Sequence, residues 1–250
     1  VQERLSAKKG SRGPMLSFGG LQAESVTREE HAMTVATLEF VLHSPDASWN
    51  YERWEQLPAD GHRYEVIDGV LYMSTAPGFL HQRAIVRLVQ HVATPLENQG
   101  IAISVVAPIG VLMPGCDPVQ PDFLLIRSER SGIIAADGRI RGVPDLIAEV
   151  LSPNHPELDT AIKLSAYARA GVPEYWILMP ESRSVLVHAQ PQPESGRYTV
   201  VTRFGRNDEL RSPTVSIRVR VDLLFEPEGV QRDGNGSHPH KSSSTCRFPF

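Results

Sequence analysis

The chain has 250 residues and a formal net charge of −4, with 25 Lys and Arg against 29 Asp and Glu. A protein that coats nucleic acid over its whole surface should be clearly basic, so this balance excludes a histone-like binder. It leaves open an enzyme that meets DNA at one local site, and the hydrophobic share of 41% is enough for a substantial core.

Two terminal segments lack the apolar periodicity of a folded core. Residues 1–33 mix Gly, Ser and charged residues, and we expect a disordered N-terminal extension there. Residues 228–250 are rich in Gly, Ser, Pro and His, which predicts a disordered tail in which His238 and His240 belong to a linker. The sequence between them predicts one domain over residues 34–227.

The domain shows a dense alternation of helix and strand signals. Asp68-Gly69 between two β-prone runs favours a hairpin turn. Pro156 and Gly171 are typical of the first turn and the end of a helix, whereas Pro95 weakens the last turn of another. In chain order the pattern predicts a helix over 50–57, hairpin strands over 64–67 and 70–73, a helix over 80–98, one or two strands over 101–113, a strand over 120–126, a polar loop over 128–143, a strand over 145–151, a helix over 156–170, and strands over 174–179, 184–188, 198–204 and 215–225.

Acidic residues stand on otherwise apolar predicted strands. Burying a carboxylate costs several kcal/mol unless it is paired or binds a metal. Glu149 lies in the middle of such a strand, on the same face as Asp145 because side chains alternate. Asp122 begins another apolar strand and Glu65 lies in a third. Asp122 and Asp145 each follow a proline, where a polar residue can also simply cap a turn.

These acids suggest a metal site. Mg²⁺ is a hard cation that takes carboxylate, carbonyl and water oxygens. Two or three acids that converge from neighbouring strands form such a site, and the metal can then activate a water and neutralise charge on a phosphodiester. A nearby lysine would stabilise the charge that develops in the transition state.

Five pieces of sequence, in this order, resemble the Uma2 (DUF820) family of bacterial restriction-endonuclease-like proteins in the PD-(D/E)xK nuclease superfamily. The pieces are residues 64–73, His81-Gln82, Gln120-Pro121-Asp122, residues 144–153, and Lys163 with residues 167–176. The resemblance spans about Tyr51 to Phe225.

The resemblance implies an α/β (or α+β) restriction-endonuclease-like core, which is a mixed β-sheet flanked by helices. The implied activity is Mg²⁺-dependent cleavage of DNA, with Mn²⁺ as a possible substitute. Asp122 and Glu149 would be the metal ligands, with the backbone carbonyl of Val150 as a third. Glu65 would match the acidic residue that an early element contributes.

The catalytic lysine departs from the superfamily motif. The motif places Lys two residues after the acid, where this chain has Leu151. In this family the lysine comes instead from the following helix, and Lys163 fits. Asp159, Lys163 and Tyr167 share a face of that helix. Taken alone, Lys163 would rather form a surface ion pair with Asp159, worth about 0.3–0.5 kcal/mol.

Substrate contacts are assigned to basic residues beside these strands. The loop between the two acidic strands is flanked by Arg127, Arg130, Arg139 and Arg141. They form either a phosphate-binding rim, with Arg127 and Arg141 as its main candidates, or an ordinary solvated loop. His81 either contacts phosphate or a carboxylate, or is a polar residue at a helix start.

Two other functions stay open at this point. The chain could be a catalytically inactive nuclease-fold protein that binds DNA or a partner, or a metal-dependent hydrolase of another phosphate ester. A homodimer is a hypothesis that the sequence leaves open, because two compact cores would cut two strands more easily than one. With only Cys116 and Cys246, no apolar leader and no membrane span, we expect a cytoplasmic protein without disulfides or an organic cofactor.

Overall fold

A computed structural model describes residues 41–225 of the chain. The predicted tails, with His238, His240 and Cys246, lie outside the described residues, and the domain bounds 34–227 stay a prediction. The described strands are, in chain order, β1 (Val41–His43), β2 (Arg63–Ile67), β3 (Val70–Ser74), β4 (Ala102–Val106), β5 (Val111–Met113), β6 (Cys116–Val119), β7 (Phe123–Arg127), β8 (Ile140–Arg141), β9 (Leu146–Val150), β10 (Glu174–Met179), β11 (Ser184–Gln192), β12 (Arg197–Phe204), β13 (Glu209–Arg211) and β14 (Arg218–Arg220).

The helical segments are fewer. The α-helices are α1 (Tyr51–Trp54), α2 (Phe79–Leu88), α3 (Thr94–Asn98) and α4 (Leu164–Ala170). Two π-helical segments occupy Val89–Ala93 and Leu158–Lys163, and two 3₁₀ turns occupy Ser128–Ile133 and Val221–Leu224. No helix within residues 41–225 is long and apolar enough to cross a membrane.

The strands form two six-stranded sheets and a short hairpin. The central sheet has the order β12-β11-β10-β9-β7-β4 and is mixed, because β9 and β10 are parallel while β7 and β9 are antiparallel. The second sheet has the order β1-β3-β2-β6-β5-β8, and β13 pairs with β14. The predicted mixed sheet flanked by helices is confirmed, with a second sheet beside it.

Buried side chains cover both faces of the central sheet. On one face Ala148 and Val150 belong to a cluster with Leu88 of α2. On the other face Ile147 belongs to a cluster that includes Tyr167 of α4 and Ile67 of the second sheet. Because side chains alternate along a strand, Glu149 lies on the face of Ile147, between the central sheet and α4.

Turn chemistry fixes the hairpin of β2 and β3. Asp68 and Gly69 have φ values of 50° and 78°, the left-handed region that a two-residue turn of this kind requires. The predicted hairpin is therefore confirmed. It sets the register in which Glu65 pairs with Tyr72.

The predicted helix over 80–98 is confirmed as three helical segments in succession. Pro95 lacks a backbone N–H and its ring would clash with the carbonyl four residues earlier in a regular α-helix. The π-helical segment Val89–Ala93 widens the turn just before the proline, and α3 then continues through Asn98.

The predicted helix over 156–170 is confirmed with an irregular first half. Residues Leu158–Lys163 are π-helical and α4 follows directly. Gly171 ends the helix with φ 82°, a conformation that costs other residues a steric penalty. The π-helical segment is where Asp159 and Lys163 are buried.

Several predicted strands need correction. Residues 120–122 interrupt the strand predicted over 120–126, since the chain leaves β6 at Val119 and enters β7 at Phe123. Residues 128–143 contain a 3₁₀ turn and β8 as well as loop. The strand predicted over 215–225 is wrong for most of its length: only β14 is extended, and a 3₁₀ turn then buries Val221 and Leu224. Apolar spacing alone does not distinguish a buried short turn from a strand.

Candidate active site

Asp122 and Glu149 meet across two neighbouring strands. Asp122 directly precedes β7, and Phe123 pairs with Ala148 of β9, so Asp122 lies beside Glu149 and Val150. Both carboxylates are buried, at 1% exposure each. The Asp122 backbone N–H donates to Glu149 Oε2 at 3.2 Å, and the Val150 N–H donates to Asp122 Oδ2 at 2.9 Å. The two acids predicted as metal ligands therefore share one site.

Glu65 reaches the same place from the second sheet. It lies in β2 and is 1% exposed. The Gln120 backbone N–H donates to Glu65 Oε1 at 2.7 Å, which holds the carboxylate where the chain turns from β6 toward β7. Its other oxygen, Oε2, lies 3.2 Å from Lys163 Nζ.

Lys163 is the cation that lies between Glu65 and Glu149. Its side chain is completely buried. The Nζ atom lies 3.0 Å from Glu149 Oε1 and 3.8 Å from Asp159 Oδ1. Burial works against the charged amine, but the surrounding carboxylates, with Glu149 first, raise the pKa of Lys163 above its ordinary value. The ordinary surface ion pair with Asp159 is therefore not what the structure shows.

Two further basic side chains hold Asp122. Arg63 Nη1 donates to Asp122 Oδ1 at 2.7 Å, and His81 Nε2 lies 3.0 Å from Oδ2. Burial alone would favour the neutral carboxyl, but Arg63 and then His81 outweigh it and hold the pKa of Asp122 well below its usual range. Asp122 is therefore ionised at neutral pH.

The pKa values of Glu149 and Asp159 shift in the opposite direction. Burial, together with the neighbouring charge of Asp122, raises the pKa of Glu149 to about 8, although Lys163 acts to lower it. Burial likewise raises the pKa of Asp159 to about 6 against the effect of Lys163. The Tyr167 hydroxyl donates to Glu149 Oε1 at 2.8 Å and so favours its charged form. The site thus contains carboxyl groups that can change protonation near neutral pH.

A cavity of about 40 Å³ opens beside these groups. Since one water needs about 10–15 Å³ of such space, it has room for a few waters or a hydrated ion. Its lining combines acids, basic residues and hydroxyls with three apolar residues, and it includes Asp122 but not Glu65 or Glu149. The lining residues are Arg63, Ser74, Thr75, Pro77, His81, Asp122, Val150, Ser152, His155, Leu158, Asp159 and Lys163.

The predicted phosphate rim is not at this cavity. Arg127 ends β7, whereas Asp122 precedes it, so about five residues at roughly 3.3 Å each separate the two along the strand. There the Arg127 backbone N–H donates to Asp145 Oδ2 at 2.8 Å and Arg130 Nη1 donates to Oδ1 at 2.6 Å. Arg141 pairs with Asp137 at 2.8 Å. Asp145 thus shares a sheet face with Glu149 but binds the arginines at the far end of its strand.

Arg63 is the site residue that the sequence did not single out. It lies two residues before Glu65 in β2, and this period-two spacing places both side chains on one face. This spacing could have identified Arg63 from the sequence. It could not show that the second sheet brings Arg63 to Asp122, because the two residues are 59 positions apart in the chain.

Comparisons with known proteins agree with this fold. Residues 50–223 match the model of the Uma2 family, described as "putative restriction endonuclease". One solved structure, a "putative nuclease belonging to DUF820" from Anabaena variabilis, is similar over 71% of this chain and 97% of its own, with a TM-score of 0.59 and 18% identity. No curated protein matches the chain. Because the family match covers most of the chain and includes Glu65, Asp122, Glu149 and Lys163, the protein belongs to the Uma2 family.

Proposed function

We propose that the protein is an Mg²⁺-dependent endonuclease that hydrolyses DNA phosphodiester bonds. The observation that carries the proposal is the meeting of Asp122 and Glu149, with the buried Lys163 Nζ 3.0 Å from Glu149 Oε1, next to a cavity that Asp122 and Lys163 line. Membership of a family described as restriction endonucleases supports a phosphodiester as the bond that is cut.

The donor chemistry fits a hard divalent cation. Asp122 and Glu149, with the backbone carbonyl of Val150, would hold the ion, and Glu65 would support them. No group of three or more His, Cys, Asp or Glu side chains within residues 41–225 has the geometry of a metal site. Mg²⁺ does not require one, because it keeps several waters and uses one or two carboxylates.

Charge balance also supports a divalent cation. Four buried carboxylates, from Glu65, Asp122, Glu149 and Asp159, face two cations, Arg63 and Lys163. If all four carboxylates were ionised, they would outnumber Arg63 and Lys163 by two, and the raised pKa of Glu149 reflects its burial together with this unfavourable excess in the metal-free cluster. Burying such an excess is costly, and one divalent cation would balance it.

Each side chain then has a definable task. A bound Mg²⁺ would supply an activated water and would neutralise charge on the phosphodiester. Asp122, ionised through its contacts with Arg63 and His81, offers a charged ligand. Lys163 is a fixed positive charge beside the cavity that stabilises negative charge developing on the phosphate. Arg63, which also lines the cavity, neutralises the incoming phosphate before reaction.

Plasmid nicking tests the proposal. The wild type should nick supercoiled DNA with Mg²⁺ or Mn²⁺ and not with EDTA. Glu149→Gln and Lys163→Met should each lower the rate by at least about 10²-fold, the usual effect of losing one electrostatic contact to a transition state. Asp145→Asn is the matched control, because Asp145 is a buried acid beside β9 that lies away from the cavity. Wild type that cuts nothing, or site variants that cut as fast as wild type, would contradict the proposal.

One observation favours a second function, an inactive nuclease-fold protein that binds DNA. Every carboxylate oxygen of Glu65, Asp122 and Glu149 already has a cation or N–H donor within hydrogen-bond distance. A metal would have to displace or share these contacts. This function predicts salt-sensitive DNA binding by a protein that shows no cleavage with any divalent cation.

A further inference from the structure

The helical segment that carries Asp159 and Lys163 is not a regular α-helix. Residues Leu158–Lys163 are π-helical, and α4 continues directly from them. In a π-helical turn the backbone hydrogen bonds span five residues instead of four, so the turn holds about one extra residue. Such turns are rare, and they occur frequently at functional sites. Because this form is seldom adopted, we expect contacts from the rest of the fold to hold it.

The extra residue places Asp159 on the helix face that Lys163 and Tyr167 share. Asp159 and Tyr167 are eight residues apart, which is a rotation of about 80° in a regular α-helix. With one residue taken up by the π-helical turn, the rotation falls to about 20°. Asp159 Oδ1 accordingly lies 3.8 Å from Lys163 Nζ, while the Tyr167 hydroxyl donates to Glu149 Oε1. A regular α-helix would rotate Asp159 away from this face.

Tyr175 contacts the π-helical turn from the neighbouring strand. It lies in β10 and pairs with Ile147 of β9, so its side chain shares the sheet face of Glu149. The side chain is completely buried, and its hydroxyl donates to the backbone carbonyl of Asp159 at 3.0 Å. Burial raises the pKa of Tyr175 well above its ordinary value, so the hydroxyl keeps its proton and stays a donor.

The ring of Tyr175 makes a second contact, with Tyr167 of α4. The two rings meet edge to face with their centroids 5.1 Å apart, one of the arrangements that aromatic pairs prefer. Tyr175 therefore contacts the helix on both sides of Lys163, at Asp159 four residues before it and at Tyr167 four residues after it. One strand residue thus connects the π-helical turn to the regular helix that follows.

We propose that Tyr175 is a positioning residue, whose hydroxyl keeps the turn Leu158–Lys163 π-helical and so holds Asp159 and the Lys163 ammonium group beside the buried acids. Tyr175 does not line the cavity, so it acts through these two side chains. Loss of the hydroxyl lets the turn relax toward α-helical hydrogen bonding. The effect on cleavage rests on the proposed nuclease function, whereas the effect on Lys163 does not.

Tyr175→Phe tests the proposal, because it removes the hydroxyl and keeps the ring. In metal-free, full-length protein labelled with ¹⁵N-lysine, the buried ammonium group of Lys163 should give a slowly exchanging NMR signal, identified by its loss in Lys163→Met. Tyr175→Phe should shift this signal and speed its hydrogen exchange, which requires local opening. In the cleavage assay kcat should fall by up to about 10²-fold, the cost of a misplacement of about 1 Å, with KM unchanged.

Tyr198→Phe is the matched control. The Tyr198 hydroxyl also donates to a backbone carbonyl at 3.0 Å, that of Val172, and its ring stacks 6.5 Å from the ring of Tyr175. Val172 follows Gly171 at the end of α4 and lies outside the π-helical turn. The two variants should lower the urea midpoint by similar amounts, because each loses one buried hydrogen bond. Tyr198→Phe should keep the Lys163 signal and the kcat of the wild type.

The outcomes separate this inference from the nuclease proposal. A Lys163 signal that is absent from the wild type, or unchanged in Tyr175→Phe, would overturn the inference. Equal changes in Tyr198→Phe would also overturn it, because they would indicate general loosening of the aromatic cluster. If the wild type cleaves DNA and Tyr175→Phe raises KM without lowering kcat, the positioning role is wrong. If no divalent cation supports cleavage while the Lys163 signal still depends on Tyr175, the positioning role stands and the nuclease proposal falls.

Discussion

Removal of the buried ammonium group at the site has a large expected effect on stability. Lys163 is fully buried, and its Nζ lies 3.0 Å from Glu149 Oε1, 3.2 Å from Glu65 Oε2 and 3.8 Å from Asp159 Oδ1. At an effective dielectric constant of about 20, opposite charges about 3 Å apart attract by roughly 5 kcal/mol. Desolvation offsets most of this attraction, but breaking a buried pair still costs about 3–5 kcal/mol because the partner is left uncompensated.

Lys163→Met, which keeps most of the side-chain volume, should therefore lower the free energy of unfolding by about 3–5 kcal/mol at pH 8 without divalent cations. The measurement is urea unfolding, with unchanged slope and a lower midpoint. The loss should be smaller at pH 5.5, where Glu149 and Asp159 can be neutral and no longer require a counter-ion.

Two companion variants test whether the charge of Lys163 stabilises the buried acids. Glu149→Gln combined with Lys163→Met should lose less than the sum of the single variants, since each change removes the charge that the other leaves unpaired. Arg130→Met, which also takes a cation from a buried acid, should cost less because Arg130 is 35% exposed. A loss below about 1 kcal/mol for Lys163→Met at pH 8, the value typical of exposed pairs, would show that the buried cluster is not held by this charge.

Three other predictions concern the wild type and nearby contacts. Burial raises the pKa of Glu149 to about 8 and of Asp159 to about 6, so the folded state binds more protons than the unfolded state. The free energy of unfolding of the metal-free protein should therefore fall as the pH rises from about 5 to 8, by up to about 1.4 kcal/mol per pH unit per proton. A rise over this range would contradict the two raised pKa values. Tyr167→Phe removes the 2.8 Å hydrogen bond to Glu149 and should raise the pKa of Glu149 further, as a ¹³C titration of its carboxyl would show; an unchanged or lower value would refute this contact. Gly171→Ala forces a side chain into φ 82° and should cost about 1–2 kcal/mol in the same unfolding assay, whereas a stabilised variant would argue against this helix end.

The chemistry of neighbouring residues is sufficient to predict many of the helices, strands and turns. Strand β10 has the bounds that the sequence predicts, Glu174–Met179, because its apolar residues are uninterrupted between turns. The hairpin at Asp68-Gly69 depends on two adjacent φ values, and the end of α4 on Gly171 alone. Where structure depends on neighbours in the chain, the sequence predicts it well.

Longer-range contacts decide where the candidate residues lie relative to the cavity. Arg127 and Arg141 were the natural candidates for phosphate contacts because they lie between the two acidic strands in sequence. The direction of β7 instead places Arg127 at the end of the strand away from Asp122. Arg63 is distant from Asp122 in sequence, but its Nη1 lies 2.7 Å from Asp122 Oδ1 because β2 of the second sheet lies beside the start of β7.

The sequence alone establishes which types of residue form the site: acids on apolar strands must be paired or bind a cation, since an isolated buried carboxylate is too costly. It therefore determined that Asp122 and Glu149 need partners. The identity of those partners follows from three-dimensional packing. The choice of Lys163 for Glu149, and of Arg63 and His81 for Asp122, depends on how two sheets and a π-helical turn pack together, and no local sequence pattern contains that information.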